Sequence, residues 1–162
     1  MTKTLDGGIT RNGEGTDGTA WNILGQRYFP KASCASTFAF ETNSAPGQFV
    51  PVHIHPHQDE FILVQEGQLE LKLDGQWQTA RAGDLVRMPR GVPHGYFNKS
   101  DVPARVGHSL ASGGRKSTSC AAEAARIAGM SVISWRVSKR ARRRPAGETQ
   151  KSARHGASDL LK

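Results

Sequence analysis

Cysteine is scarce in this chain of 162 residues: Cys34 and Cys120 are the only two, too far apart to suggest a metal knuckle, a redox pair or a disulfide framework. Both read as reduced thiols of a reducing compartment. Long apolar runs are missing as well. No stretch approaches the roughly 18 apolar residues of a membrane span, and the opening MTKTLDGGITRNGEGTDG lacks the apolar core of a secretory signal. A cytoplasmic protein with no membrane partner is therefore expected. Neither end offers a helix-turn-helix pattern, which leaves a DNA-binding regulator without its reading element. Acidic residues are sparse only toward one end. Residues 1–105 hold 10 Lys and Arg against 11 Asp and Glu, whereas residues 106–162 hold 12 against 3, so the net charge of +8 comes entirely from the second part. A basic appendage is not a basic domain face. The run from Lys139 to Arg144 has no interleaved aromatics and reads as solvated charge, so nucleic acid is not an expected partner.

What is present between Trp21 and Arg105 is a series of short apolar stretches punctuated by Gly, Pro and Asp, the pattern of an all-β domain. Strands are expected over 37–41, 49–55, 61–65, 69–73, 77–81, 85–88 and 95–98, with 104–110 as a last strand paired at an edge. Asp74-Gly75 between LELKL and QWQTA predicts a type I′ hairpin, in which both central residues need positive φ. Glu66-Gly67 and Ala82-Gly83 mark further tight turns. Trp21, Ile23 and Tyr28 belong to an additional apolar segment, 21–30, able to pack on the domain or on a partner subunit. Residues 1–20 are polar and Gly-rich and read as a flexible arm. The domain division is thus 1–20 arm, 21–110 β-domain and 111–162 basic, largely disordered tail, with a weak helix over 120–128. The abrupt Arg, Ser, Ala and Gly bias of that tail has the look of a shifted reading frame in a GC-rich gene.

Four residues carry chemistry. His53 and His55 are two apart, so on a strand both imidazoles point to one face. Glu60 opens the following strand, where chain reversal returns its carboxylate toward the histidines. Much later, Pro89, Gly91 and Pro93 form a rigid corner that aims His94. Three imidazoles and a carboxylate suit one divalent transition metal, Fe, Mn, Ni, Co or Zn, and the ligand set does not select among them. His57 reads as solvent-facing or as a support to the ligands, and Asp59 as a turn residue. Phe61, Met88, Tyr96 and Phe97 are candidates for pocket lining or plain core. His108 and His155 have no companions in sequence and are assigned no role.

These segments resemble the two sequence motifs of the cupin superfamily. Gly47, His53, His55, Glu60 and Gly67 fit the first at every spacing, and Gly83, Pro89, Gly91, His94 and Asn98 fit the second. The resemblance covers residues 21–105 and implies a single small jelly-roll-like β-barrel whose metal is held by His53, His55, Glu60 and His94. Single-domain, quercetinase-like cupins are the nearest kind. For them the resemblance implies an oxidoreductase, a dioxygenase acting on a small oxygenated organic substrate, with Glu60 doubling as ligand and catalytic base. The alternative it leaves open is a noncatalytic metal-dependent sensor or small-ligand-binding module. A small molecule is the expected partner in either case, and a homodimer is compatible with both.

Overall fold

A computed structural model describes residues 4–112. After a short 3-10 turn at Thr16–Gly18 come ten strands: β1 Trp21–Ile23, β2 Gln26–Ser33, β3 Thr37–Ser44, β4 Phe49–His53, β5 Gln58–Glu66, β6 Gln68–Leu73, β7 Gln76–Arg81, β8 Leu85–Met88, β9 His94–Phe97 and β10 Ala104–Ser112. They form two antiparallel sheets, ordered β1-β2-β3-β10-β5-β8 and β4-β9-β6-β7. The two sheets share one core. Ile62, Val64, Val86, Met88, Ala104 and Val106 of the larger sheet pack with Leu69, Leu71, Ala80 and Tyr96 of the smaller. This is the β-barrel that the alternation of apolar residues predicts.

The 74–75 hairpin forms as expected: Leu73 faces Gln76, and Asp74 and Gly75 have φ of 45° and 79°. Segment 21–30 resolves into two strands around a Leu24-Gly25 turn, with Leu24 also at positive φ. It packs inward on the barrel: Trp21 stacks on Phe38 and Tyr28 lies against Phe40. The N-terminal arm, expected from composition to be flexible, is hydrogen-bonded to β2 in its second half. Thr10 and Thr16 donate to the Lys31 carbonyl, and the Lys31 ammonium donates to the carbonyls of Arg11 and Glu14.

The largest departure concerns β10, which is not an edge pairing. It lies in the middle of the six-stranded sheet, paired with β3 on one side and β5 on the other. Its alternate residues, Ala104, Val106, His108, Leu110 and Ser112, are all buried. Two long neighbours give it ladder partners along both edges, which a strand at the rim of a sheet does not have. The expected helix at 120–128, Cys120, His155, the basic run and the rest of the 111–162 tail beyond Ser112 lie outside the described residues.

Candidate metal centre

Each of the four site side chains is placed by a different local device. His94 opens β9 and is paired directly with His53, the last residue of β4. Between Val50 and His53 the register of that pair slips, so β4 bulges at Pro51. The bulge runs against Gly95: a Cβ there would lie 2.8 Å from the Val50 carbonyl oxygen and 3.0 Å from the Val52 nitrogen. Only glycine lets the two backbones approach this closely. His55 stands two residues beyond the end of β4, not within the strand as expected, because pairing stops at His53 and Pro56 has no N–H to extend it. The imidazoles still converge, with ring centroids 5.0 Å apart for His53 and His55 and 4.6 Å for His53 and His94.

The corner before His94 is held from two sides. Gly91 donates its N–H to the His55 carbonyl at 2.9 Å. Asp59 accepts from the Arg90 backbone N–H at 3.0 Å and from the Arg90 guanidinium through both carboxylate oxygens. Asp59 is thus a β5 residue that pins the His94 corner, and not a turn residue. The guanidinium holds its carboxyl below the ordinary range.

Hydrogen bonding selects the inward nitrogen on two of the histidines. His53 Nδ1 lies 2.8 Å from the Pro51 carbonyl and His94 Nδ1 lies 2.8 Å from the Val92 carbonyl. A carbonyl only accepts, so each Nδ1 carries the proton and each Nε2 keeps its lone pair for the interior. His94 Nε2 and His55 Nδ1 are buried without a hydrogen-bond partner among the described residues. His94 Nε2 also lies 3.3 Å from Glu60 Oε2, lone pair toward carboxylate, and His55 Nε2 lies 3.1 Å from the same oxygen. Two acceptors facing each other in a buried site repel unless a cation stands between them. Bonds of about 2.0–2.2 Å to one ion put adjacent ligand atoms roughly 3 Å apart, close to these separations. One ligand atom from each of His53, His55, Glu60 and His94 lies within 4.8 Å of the others, so the group could hold a metal ion. The residues fit.

Burial pushes the Glu60 carboxyl up, but hydrogen bonding with the neighbouring imidazoles, His108 foremost and then His55, outweighs it and holds the carboxyl well below the ordinary range. Glu60 is therefore ionised. Burial pushes the His53 imidazole down, so it stays neutral, the form in which it can ligate. The four residues open into a cavity of about 50 Å³ whose wall includes Tyr28, Phe40, Met88, Tyr96 and, from the end of β1 and the turn after it, Ile23 and Leu24. Burial raises the Tyr28 phenol to about 12 and that of Tyr96 well above its usual value, so both present protonated hydroxyls. Of the four aromatic and Met candidates, Met88 and Tyr96 line the cavity. Phe61 does not reach it, and Phe97 stacks outside with Phe49 and Trp77. His57 is exposed.

His108, assigned no role from sequence, is a correction. It is buried, lines the cavity, and its Nδ1 lies 2.8 Å from Glu60 Oε1. The signal was available: His108 falls at period two between Val106 and Leu110, on the inward face of β10.

Comparison with known proteins agrees with this architecture. The family described as "Cupin domain" matches residues 40–111. Quercetin 2,3-dioxygenase of Bacillus subtilis (strain 168) is 38% identical over 64 residues, covering 40% of this chain and 19% of that protein. Germin-like protein 1-1 of Oryza sativa subsp. japonica is 33% identical over 104 residues, covering 61% and 47%. The chain thus spans less than half of either relative. The crystal structure of an RmlC-like cupin from Shewanella frigidimarina NCIMB 400 superposes with a TM-score of 0.58 at 17% identity, covering 68% of this chain and 96% of that one, a likeness of fold. With both motifs converging on one site and the family match running over the strands that carry them, residues 40–111 form a cupin domain.

Proposed function

We propose that the protein is a metal-dependent oxidoreductase, a dioxygenase acting on a small oxygenated organic molecule, with one divalent transition metal held by His53, His55, Glu60 and His94. The observation that carries this reading is the buried confrontation of the His94 Nε2 lone pair with the Glu60 carboxylate inside a cavity that has room for more than the ion. Such an ion, with four protein ligands, supplies Lewis acidity and, for a redox-active metal, electron transfer at the positions the protein leaves open. The protein's own residues do the rest. Tyr28 offers a hydroxyl to a substrate oxygen, Tyr96 donates its own to Gln26 Oε1 at 3.1 Å and so stiffens the wall, and Phe40, Met88 and Leu110 exclude water from the reacting side. Glu60 is the residue available to take a substrate proton. Its depressed proton affinity makes it a weak base and suits it better to ligation.

Cavity size bears on the substrate. About 50 Å³ accommodates roughly three or four waters, which favours a small diketone or acid over a flavonol. The second reading, a noncatalytic small-ligand sensor, draws on the same enclosure. Oxygen uptake by the metal-loaded full-length protein with a panel of diketones and flavonols separates the two. Consumption of both O₂ and a diketone supports the enzyme, whereas saturable binding without consumption supports the sensor. His94→Ala should remove most of the bound metal from a still-folded barrel. Equal metal content by elemental analysis in variant and parent would show that His94 is not a ligand. A homodimer belongs to this reading too, and sedimentation equilibrium tests it.

A further inference from the structure

The histidine cluster accounts for one oxygen of Glu60. The other is engaged by a residue that neither sequence motif contains. His108 Nδ1 lies 2.8 Å from Glu60 Oε1, and its side chain is 1% exposed. An ionised carboxylate only accepts, so Nδ1 carries the proton. In the neutral ring Nε2 is then an acceptor, and Thr42 Oγ1, 3.2 Å away, donates to it. The ring plane is fixed independently by Phe40, stacked at 4.4 Å between centroids and 7° between planes, and Tyr96 packs at 5.7 Å. Glu60 Oε2, meanwhile, faces His55 Nε2 at 3.1 Å and His94 Nε2 at 3.3 Å. One carboxylate thus spans two environments, with a separate oxygen for each.

We propose that His108 is a positioning residue that fixes the Glu60 carboxylate so that Oε2 alone is presented to the divalent ion, with Thr42 anchoring its far nitrogen and Phe40 its plane. The proposal rests on the metal-site reading above. Without the Nδ1 donor, Glu60 Oε1 becomes an unpaired buried acceptor, and the carboxylate can rotate to offer both oxygens or turn away. A ring that merely fills space would be replaced adequately by another ring. His108→Phe therefore keeps the stack on Phe40 and deletes the Nδ1 donor together with the acceptor facing Thr42, while His108→Asn deletes the stack and keeps an N–H donor near the position of Nδ1.

The test is titration of the metal-stripped full-length protein with Co(II), following affinity and the visible d–d spectrum together. His108→Phe should bind Co(II) about 10–100-fold more weakly than the parent, the usual effect of losing a support to a ligand, and with an altered spectrum. His108→Asn should retain most of the affinity and the parental spectrum. If the parent binds Co(II) and His108→Phe matches it in affinity and spectrum, the positioning role is overturned and the metal site stands. If the parent itself takes up no Co(II), the metal reading fails and the proposal fails with it. Should His108→Phe not fold, the parent decides alone. Its Co(II)-induced infrared difference spectrum should show the widely split carboxylate stretches of one-oxygen ligation, and the narrow splitting of two-oxygen chelation would overturn the proposal.

Discussion

Glu60 and His53 both lose proton affinity in the folded barrel, by opposite routes. Hydrogen bonds to its ionised form do this for Glu60 against the effect of burial, whereas burial itself does it for His53. The consequences for stability have the same sign. A carboxyl depressed on folding stabilises the fold above its unfolded value, near 4.3, and that stabilisation is lost as pH falls through the folded value. An imidazole depressed on folding resists protonation, so below its unfolded value, about 6.5, the unfolded chain binds more protons and gains ground. The metal-free barrel should therefore weaken on acidification in two stages, first below about pH 6.5 and again below about pH 4.3. Thermal midpoints of the metal-free protein measured from pH 8 to pH 3 test this. His53→Gln should flatten the first stage. A variant as pH-sensitive as the parent between pH 7 and pH 5 would remove His53 from the explanation.

The β4 and β9 pair sets the two histidines that face each other, and Gly95 sets the pair. Gly95→Ala would drive a methyl into the Val50 carbonyl and the Val52 amide, which are backbone atoms with little room to yield. The expected result is a loss of about 1–3 kcal/mol of stability, as for other overpacked sites, together with weakened metal uptake as His53 is pushed from His94. Denaturant unfolding and metal analysis would measure both, and a variant with unchanged metal content would show that β4 gives way without moving His53. The same strand pair illustrates what sequence spacing reaches. His53 and His94 could be named from their motifs, but the bulge at Pro51 and the end of β4 before His55 could not, because both arise from how closely β9 approaches. Asn98 is a parallel case. It fits the second motif, and in the fold it is a buried staple, donating to the carbonyls of Ser44 and Val102 and accepting from Ser100.

At the scale of the whole molecule the position of β10 decides where the domain ends. Val106 and Leu110 are fully buried in different parts of the core, and burying two such side chains is worth about 3–6 kcal/mol. That is a large share of the 5–15 kcal/mol typical of a domain, before the loss of two ladders is considered. A chain ending after residue 103 should therefore fail to fold. A chain ending after Ser112 should keep its metal content and thermal transition, since every strand described here is intact and the whole +9 carried by residues 106–162 is removed with residues 113–162. Circular dichroism and metal analysis of the two truncations check this. If the longer one also unfolds, the division of the chain at about residue 110 is wrong. Among the described residues no helix is long and apolar enough to cross a membrane.

Sequence by itself determined the features that are local in the chain. Period-two alternation gave most of the strands, Asp74-Gly75 gave its turn because only certain residues accept positive φ at both positions, and the spacing of His53, His55, Glu60 and His94 named a group that could hold a metal ion. Tertiary structure alone decided which strands are neighbours. A strand's burial pattern reports that one face is inside without reporting what lies opposite, and so His108 could be placed on an inward face but not beside Glu60, 48 residues away in the chain. The same reason governs Asp59 and Arg90, His53 and His94, and the central place of β10. Each is a long-range pairing, selected by the packing of two sheets around one core and not by any residue's immediate neighbours.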